Sequence, residues 1–227
     1  MKPKLWIFDV DGTLVDSLSA SYAIDQTIIE KLGDGNAPDI DTYRQLLGEK
    51  NWQEFYANFG VTDYEKALHH YYYMMSKIYT APIPLKAIPG VKKLLRKLQG
   101  QNVPRTIISI NGSLDSVINK LDRTNLLKYF DKDSIHVTDD SKKEVIVGEC
   151  ERREIQPAET VYIGDTAKDV REGRAAGVKT IAIANQYSYN PSGVIERAKP
   201  DYLVRDISDI SQLLENRKSF LERLLGR

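Results

Sequence analysis

Leu5-Trp6-Ile7-Phe8 is an uninterrupted apolar run that stops on a carboxylate, Asp9. A stretch this short, apolar at every position, fits a strand covered on both faces, as in a parallel sheet. The pattern returns at Thr106–Ile110, Ile135–Val137, Val161–Ile163 and Thr180–Ile183, with a further short strand at Tyr202–Val204. Helix-period segments separate them, at roughly Leu114–Leu127, Glu144–Glu154 and Asp169–Ala176, and a last helix runs through Leu213, Leu214, Leu221 and Leu224. This alternation predicts an α/β chain built on a Rossmann-like parallel sheet.

The stretch 16–84 interrupts the alternation. It reads as several helices with no convincing strand; Ala67, Leu68, Tyr71, Tyr72, Met75 and Tyr79 recur at helical spacing. Its composition also shifts: it holds 8 of the 13 tyrosines, and its 10 acidic against 5 basic residues leave it at −5. Pro82, Pro84 and Pro89-Gly90 punctuate its end. The expected organisation is a core of residues 1–15 and 85–227 carrying an all-helical cap domain, 16–84, after its first strand. Tyr71-Tyr72-Tyr73 invites comparison with an aromatic substrate clamp, but the helical period favours packing inside the cap.

Charge and composition remove several classes of function. The 32 basic and 32 acidic side chains cancel, so no global basic field exists to hold nucleic acid or an anionic membrane. One cysteine, Cys150, excludes a disulfide framework and a cysteine-based zinc cluster. No apolar run approaches the ~18 residues of a membrane span, and the N-terminal run is too short for a secretory signal. The expected setting is the cytoplasm, with no membrane partner.

The chemistry gathers where strands end. In an open α/β sheet ligands bind outside the carboxyl ends of the strands. Asp9-Val10-Asp11-Gly12-Thr13 follows the first strand directly. Residues two apart in extended chain share a side, so Asp9 and Asp11 can face one site, and Gly12 permits a sharp turn. Adjacent carboxylates repel unless a cation offsets them; all-oxygen ligation points to magnesium. A second pair, Asp165 and Asp169, follows the Val161–Ile163 strand at the spacing of one helical turn. Ser109 adds a hydroxyl at the same edge, and Lys142 and Lys143 add cations.

These residues carry a family resemblance that covers essentially the whole chain. DVDGTLVDS at 9–17, Ser109, Lys142 and Gly164-Asp165-Thr166-Ala167-Lys168-Asp169, in that order, resemble the four motifs of the haloacid dehalogenase-like hydrolase superfamily. The likeness is to its phosphoglycolate phosphatase and phosphomutase branch, whose cap is helical. The resemblance implies that Asp9 attacks phosphorus and that Asp11 acts as acid and then base. It implies a magnesium ion held by Asp9, Asp11 through its backbone carbonyl, Asp165 and Asp169. Gly12, Thr13, Ser109, Ile110 and Lys142 would contact the phosphoryl group, and Arg44, just before a Leu46-Leu47-Gly48 turn of the cap, would reach the substrate; Lys50 is a further cap candidate. Two departures stand out. Ile110 follows Ser109, so that Asn111 comes one position later than usual. Ser141-Lys142-Lys143-Glu144 replaces the usual Lys-Pro, which leaves Lys143 as a second candidate.

The implied function is a magnesium-dependent phosphatase acting on a small phosphorylated metabolite, of phosphoglycolate or sugar phosphate type, as a monomer or homodimer. A β-phosphoglucomutase-like phosphomutase shares the same motifs. A non-catalytic binding module on the same fold would be free to lose Asp9, Asp11 or Asp165, and this chain keeps all three.

Overall fold

The computed structural model describes residues 3–49, 52–80, 85–110, 113–138 and 141–210. The expected C-terminal helix, Lys50 and Asn111 lie outside them. Six strands form one fully parallel sheet: β1 (Leu5–Phe8), β4 (Arg105–Ile110), β5 (Ile135–Thr138), β6 (Thr160–Gly164), β7 (Lys179–Ile183) and β8 (Tyr202–Val204), in the order β5-β4-β1-β6-β7-β8. All six predicted strands are present, each within a residue or so of the expected bounds.

The period of two along β1 explains why every residue of it is apolar. Trp6 and Phe8 enter a core on one face with Ile107, Val161 and Ile163, packed beneath α5 (Val91–Gly100) and α6 (Leu114–Arg123). Leu5 and Ile7 enter a second core on the other face with Ile108, Tyr162, Ile146 and Cys150, the last two from α7 (Lys142–Arg152). Helices cover both faces, so no position of the strand meets water. Each fully buried side chain of this size contributes ~1.5–3 kcal/mol over its exposed state.

Between β1 and α5 the described residues make four helices: α1 (Leu18–Leu32), α2 (Ile40–Glu49), α3 (Trp52–Ala57) and α4 (Tyr64–Thr80). They own a separate core of Ile24, Ile28, Ile29, Tyr43, Phe55, Tyr56, Val61, Ala67 and Met75. Tyr71 packs against that core while Tyr72 and Tyr73 are exposed, so the tyrosine run serves the cap as the helical period suggests. At its centre Asp25 accepts hydrogen bonds from Tyr43 (2.6 Å) and Tyr56 (2.5 Å).

Three features differ from the sequence reading. A two-residue antiparallel ladder, β2 (Val15–Asp16) against β3 (Lys86–Ala87), joins the two crossings into the cap and pairs opposite charges, Asp16 with Lys86. Asp16, expected at the head of a strandless stretch, is therefore in a strand; two residues are too few to show a period. The helix expected over Leu114–Leu127 stops at Arg123, because Asn125 takes a left-handed conformation (φ 56°), and a separate 3-10 turn follows at Leu127–Tyr129. Short helix α9 (Ser192–Arg197), like α5, has no counterpart in the sequence reading.

Candidate active site

The strand order sets the site. β1 lies between β4 and β6, so the residues ending these three strands become neighbours: Asp9 after Phe8, Ser109 near the end of β4, and Asp165 after Gly164. All three are buried. Helix α8 (Ala167–Ala175) starts immediately beyond, with Thr166 as its N-cap. A reciprocal capping box, in which Thr166 Oγ1 accepts from Asp169 N (3.1 Å) and Asp169 Oδ2 accepts from Thr166 N (3.1 Å), fixes Asp169 in the first turn. Asp9, Asp165 and Asp169 thus present ligand atoms that all lie within 4.8 Å of one another.

Two glycines make room for these carboxylates. Gly12 has φ 75°, and a Cβ there would fall 2.3 Å from Asp165 Oδ2. A Cβ on Gly164 would fall 2.4 Å from Asp169 Cγ. Any side chain at either position would push a carboxylate out of the cluster. Thr13 closes the same turn, its Oγ1 donating to Asp165 Oδ1 at 3.0 Å.

Lys142 and Lys143 separate cleanly. Ser141 caps α7 and accepts from Lys143 N (3.2 Å), which aims the first helical residue inward. Lys142 is buried and donates to Asp9 Oδ1 (2.7 Å), Asp169 Oδ1 (2.7 Å) and Tyr162 OH (2.8 Å). Lys143 is exposed, its ammonium 3.8 Å from Glu144.

With all three carboxylates ionised, one ammonium would leave two negative charges uncompensated in a buried site. Burial, with Asp169 and Asp11 nearby, pushes the Asp9 carboxyl up to about 7 against the pull of Lys142. Burial and the charges of Asp9 and Asp169 push Asp165 up as well. Asp169 is driven the other way: burial opposes its charge, but Lys142 and the Thr166 and Tyr162 donors outweigh it and hold the carboxyl below its ordinary value. The donor set is all oxygen, hard and two charges in excess, which fits a divalent cation of the magnesium type.

Asp11 stands beside this cluster but in a different pair. Its Oδ2 accepts from Lys120 Nζ at 2.5 Å, and its Oδ1 is buried with no hydrogen-bond partner among the described residues. Ile110 ends β4 half-buried.

Arg44, expected to reach substrate, donates into the loop 185–190. Its Nε donates to the Ser188 carbonyl (2.8 Å) and its Nη2 to the Asn185 carbonyl (3.0 Å). Asn190 Nδ2 returns a bond to the Arg44 carbonyl (3.2 Å), while Asn190 Oδ1 accepts from Ala167 N at the head of α8 (2.8 Å). In the same loop Tyr189 donates its backbone N–H to Asp165 Oδ2 (2.6 Å), and its hydroxyl meets cap residues Ser21 (2.6 Å) and Ser17 (3.2 Å). The loop 185–190 therefore clamps cap and carboxylates together.

Sequence reasoning passed over Lys120, Tyr162, Tyr189 and Asn190. Lys120 alone carried a signal, a lysine on the stripe of α6 that buries Val117 and Leu121.

Comparison with known proteins identifies the family and the shared fold. Residues 6–183 match the haloacid dehalogenase-like hydrolase family. A phosphoglycolate phosphatase of Synechococcus elongatus is 30% identical over 210 residues, covering 91% of this chain and 94% of that protein. Pyrophosphatase PpaX of Oceanobacillus iheyensis is 26% identical, over 90% of this chain and 93% of its own. The fold is shared with a haloacid dehalogenase-like family hydrolase from Streptococcus pneumoniae, at a TM-score of 0.78 and 21% identity over 93% of this chain and 98% of that one. The chain belongs to the haloacid dehalogenase-like hydrolase family.

Proposed function

We propose that this chain is a magnesium-dependent phosphatase that hydrolyses a small phosphate monoester through an aspartyl-phosphate on Asp9. The observation that carries the reading is the convergence of three buried carboxylates, Asp9, Asp165 and Asp169, around the single ammonium of Lys142 at the carboxyl edge of the sheet. Asp9, Asp165, Asp169 and the Asp11 carbonyl would hold the metal, which when bound neutralises charge on the transferring phosphoryl group.

The chain's own residues supply the rest. Asp9 attacks phosphorus in line as the leaving oxygen departs, which divides hydrolysis into two easier transfers. Asp11 gives a proton to that oxygen and later takes one from the water that cleaves the aspartyl-phosphate. Lys142 and Ser109, with the backbone about Gly12, Thr13 and Ile110, hold the phosphoryl oxygens, so positioning and electrostatics do most of the work. The cap excludes water and reads the leaving group. The division into core (1–15 and 85–227) and cap (16–84) belongs to this reading, with the β2–β3 ladder as the joint between them.

Relatives named as pyrophosphatases favour inorganic pyrophosphate as a second substrate class to test. The experiment is phosphate release from a panel of monoesters and pyrophosphate, with and without magnesium. Magnesium-dependent release from at least one monoester supports the reading; isomer formation under a bisphosphate activator, without free phosphate, would replace it with a phosphomutase.

A further inference from the structure

Tyr189 touches three parts of the molecule at once. Its backbone N–H donates to Asp165 Oδ2 (2.6 Å). Its ring lies against the turn that follows Asp11, where a Cβ on Gly12 would fall 2.8 Å from Tyr189 Cδ2. Its hydroxyl meets Ser17 (3.2 Å), at the N-cap of α1, and Ser21 (2.6 Å), one turn further on. Ser21 is tied in turn to the Tyr71 hydroxyl of α4 (3.1 Å), so the grip on Tyr189 reaches two helices of the cap. Tyr189, Ser17, Ser21 and Asp165 are all buried.

The two donors that orient Asp165 differ in what holds them. Thr13 Oγ1, on Oδ1, belongs to the core turn itself. The Tyr189 N–H, on Oδ2, belongs to a loop that the cap holds at both Tyr189 and Ser188, the second through Arg44. A cap that lifts must break the hydroxyl contacts with Ser17 and Ser21, and with them the support of one of these donors. Groups that hydrogen-bond a ligating carboxylate fix its orientation and strengthen metal binding. A carboxylate already fixed also costs less to order when the ion arrives. Linkage is reciprocal: an ion that binds the held carboxylate more tightly favours the seated cap by the same factor.

We propose that Tyr189 is a positioning residue that couples the seating of the helical cap to divalent-ion binding at the carboxylate cluster, its hydroxyl reading the cap and its N–H holding Asp165. The assignment deepens the reading above and rests on the metal-ligand role given there to Asp165. Its consequence is that the ion binds most tightly when the cap is in place, and that the cap is held most firmly when the ion is bound.

The test uses magnesium alone, without substrate. Tyr189→Phe keeps the ring and the backbone N–H and removes only the hydroxyl; calorimetric titration should show magnesium binding at least about fivefold weaker than in the wild type. The cap variant Ser17→Ala/Ser21→Ala should weaken it by a similar factor. Combining all three substitutions should add less than about twofold, since both changes cut the same link. In the other direction, saturating magnesium should slow amide hydrogen exchange across α1 at least about fivefold in the wild type and less than about twofold in Tyr189→Phe. Equal magnesium affinity in the wild type and Tyr189→Phe overturns the assignment, as does full additivity of the two changes, the mark of separate structural losses. Magnesium that binds the wild type yet leaves exchange in α1 unchanged overturns it as well, and needs no variant to fold. A wild type that binds no magnesium would instead remove the reading of the site beneath the assignment.

Discussion

The ammonium of Lys142 stands 2.7 Å from Asp9 Oδ1, although 133 positions separate the two residues. The contact exists because β1 ends beside β6 and α7 begins behind both. It supplies one positive charge where three carboxylates converge, and the shortfall is the property on which the account depends.

A divalent cation that binds this shortfall stabilises the folded state by mass action. At about a hundred times its dissociation constant the gain is ~2.7 kcal/mol. Thermal unfolding with increasing magnesium should show a rising midpoint in the wild type and a much smaller rise in Asp165→Asn. Identical shifts in both proteins would move the metal away from the cluster.

Lys142→Met should lower phosphate release by at least about a hundredfold, since one preorganised charge contact to a transferring group is worth that much. Lys143→Met, which alters an exposed side chain, should stay within about twofold. Steady-state kinetics of the two variants decides between the neighbours; the reverse order of effects would contradict the geometry.

The cap should carry its own pH dependence through Asp25. Burial pushes this carboxyl up to about 7, against the hydrogen bonds of Tyr43 and Tyr56. The folded value exceeds the ordinary value of 3.8, so the folded protein binds the extra proton. Stability from this group is then complete below about pH 4, is lost as pH rises to about 7, and is flat above. The full change is bounded at about 4 kcal/mol. Unfolding midpoints between pH 4 and 8 should fall less steeply with rising pH in Asp25→Asn than in the wild type. Parallel curves would contradict the assignment.

Arg44→Ala removes two charge-assisted bonds to the carbonyls of Ser188 and Asn185. A loss of ~1–3 kcal/mol per bond is the relevant scale. The midpoint of thermal unfolding should drop, while the order of preference among monoesters stays as in the wild type. A changed order without a drop would return Arg44 to the substrate.

The strand ends were readable from sequence because an all-apolar run buried on two faces leaves few alternatives, and a carboxylate that ends such a run has little structural reason to be there. Asp9 and Asp165 were marked in this way, and Asp11 and Asp169 by their spacing from them; the structure brings Asp9, Asp165 and Asp169 together. Motif position favoured Lys142 but left Lys143 as a second candidate, since adjacent residues at a helix start differ only in the direction that the Ser141 cap imposes. The loop partners of Arg44 were not legible for a related reason: a guanidinium donates to any carbonyl, and these carbonyls lie more than 140 positions away. The β2–β3 ladder is too short for a period, and Lys120 resembles a solvated helix lysine until Val117 and Leu121 are seen to be buried beside it.

The central claim is that Asp9 becomes phosphorylated. Acid quenching of a single turnover with magnesium, followed by mass spectrometry of the peptide Leu5–Lys31, measures this directly. The account predicts one added phosphoryl group on Asp9 in the wild type, at greater occupancy when Asp11→Asn slows its hydrolysis, and none in Asp9→Asn. Turnover with no modified Asp9 at any quench time, or full phosphate release by Asp9→Asn, would contradict it.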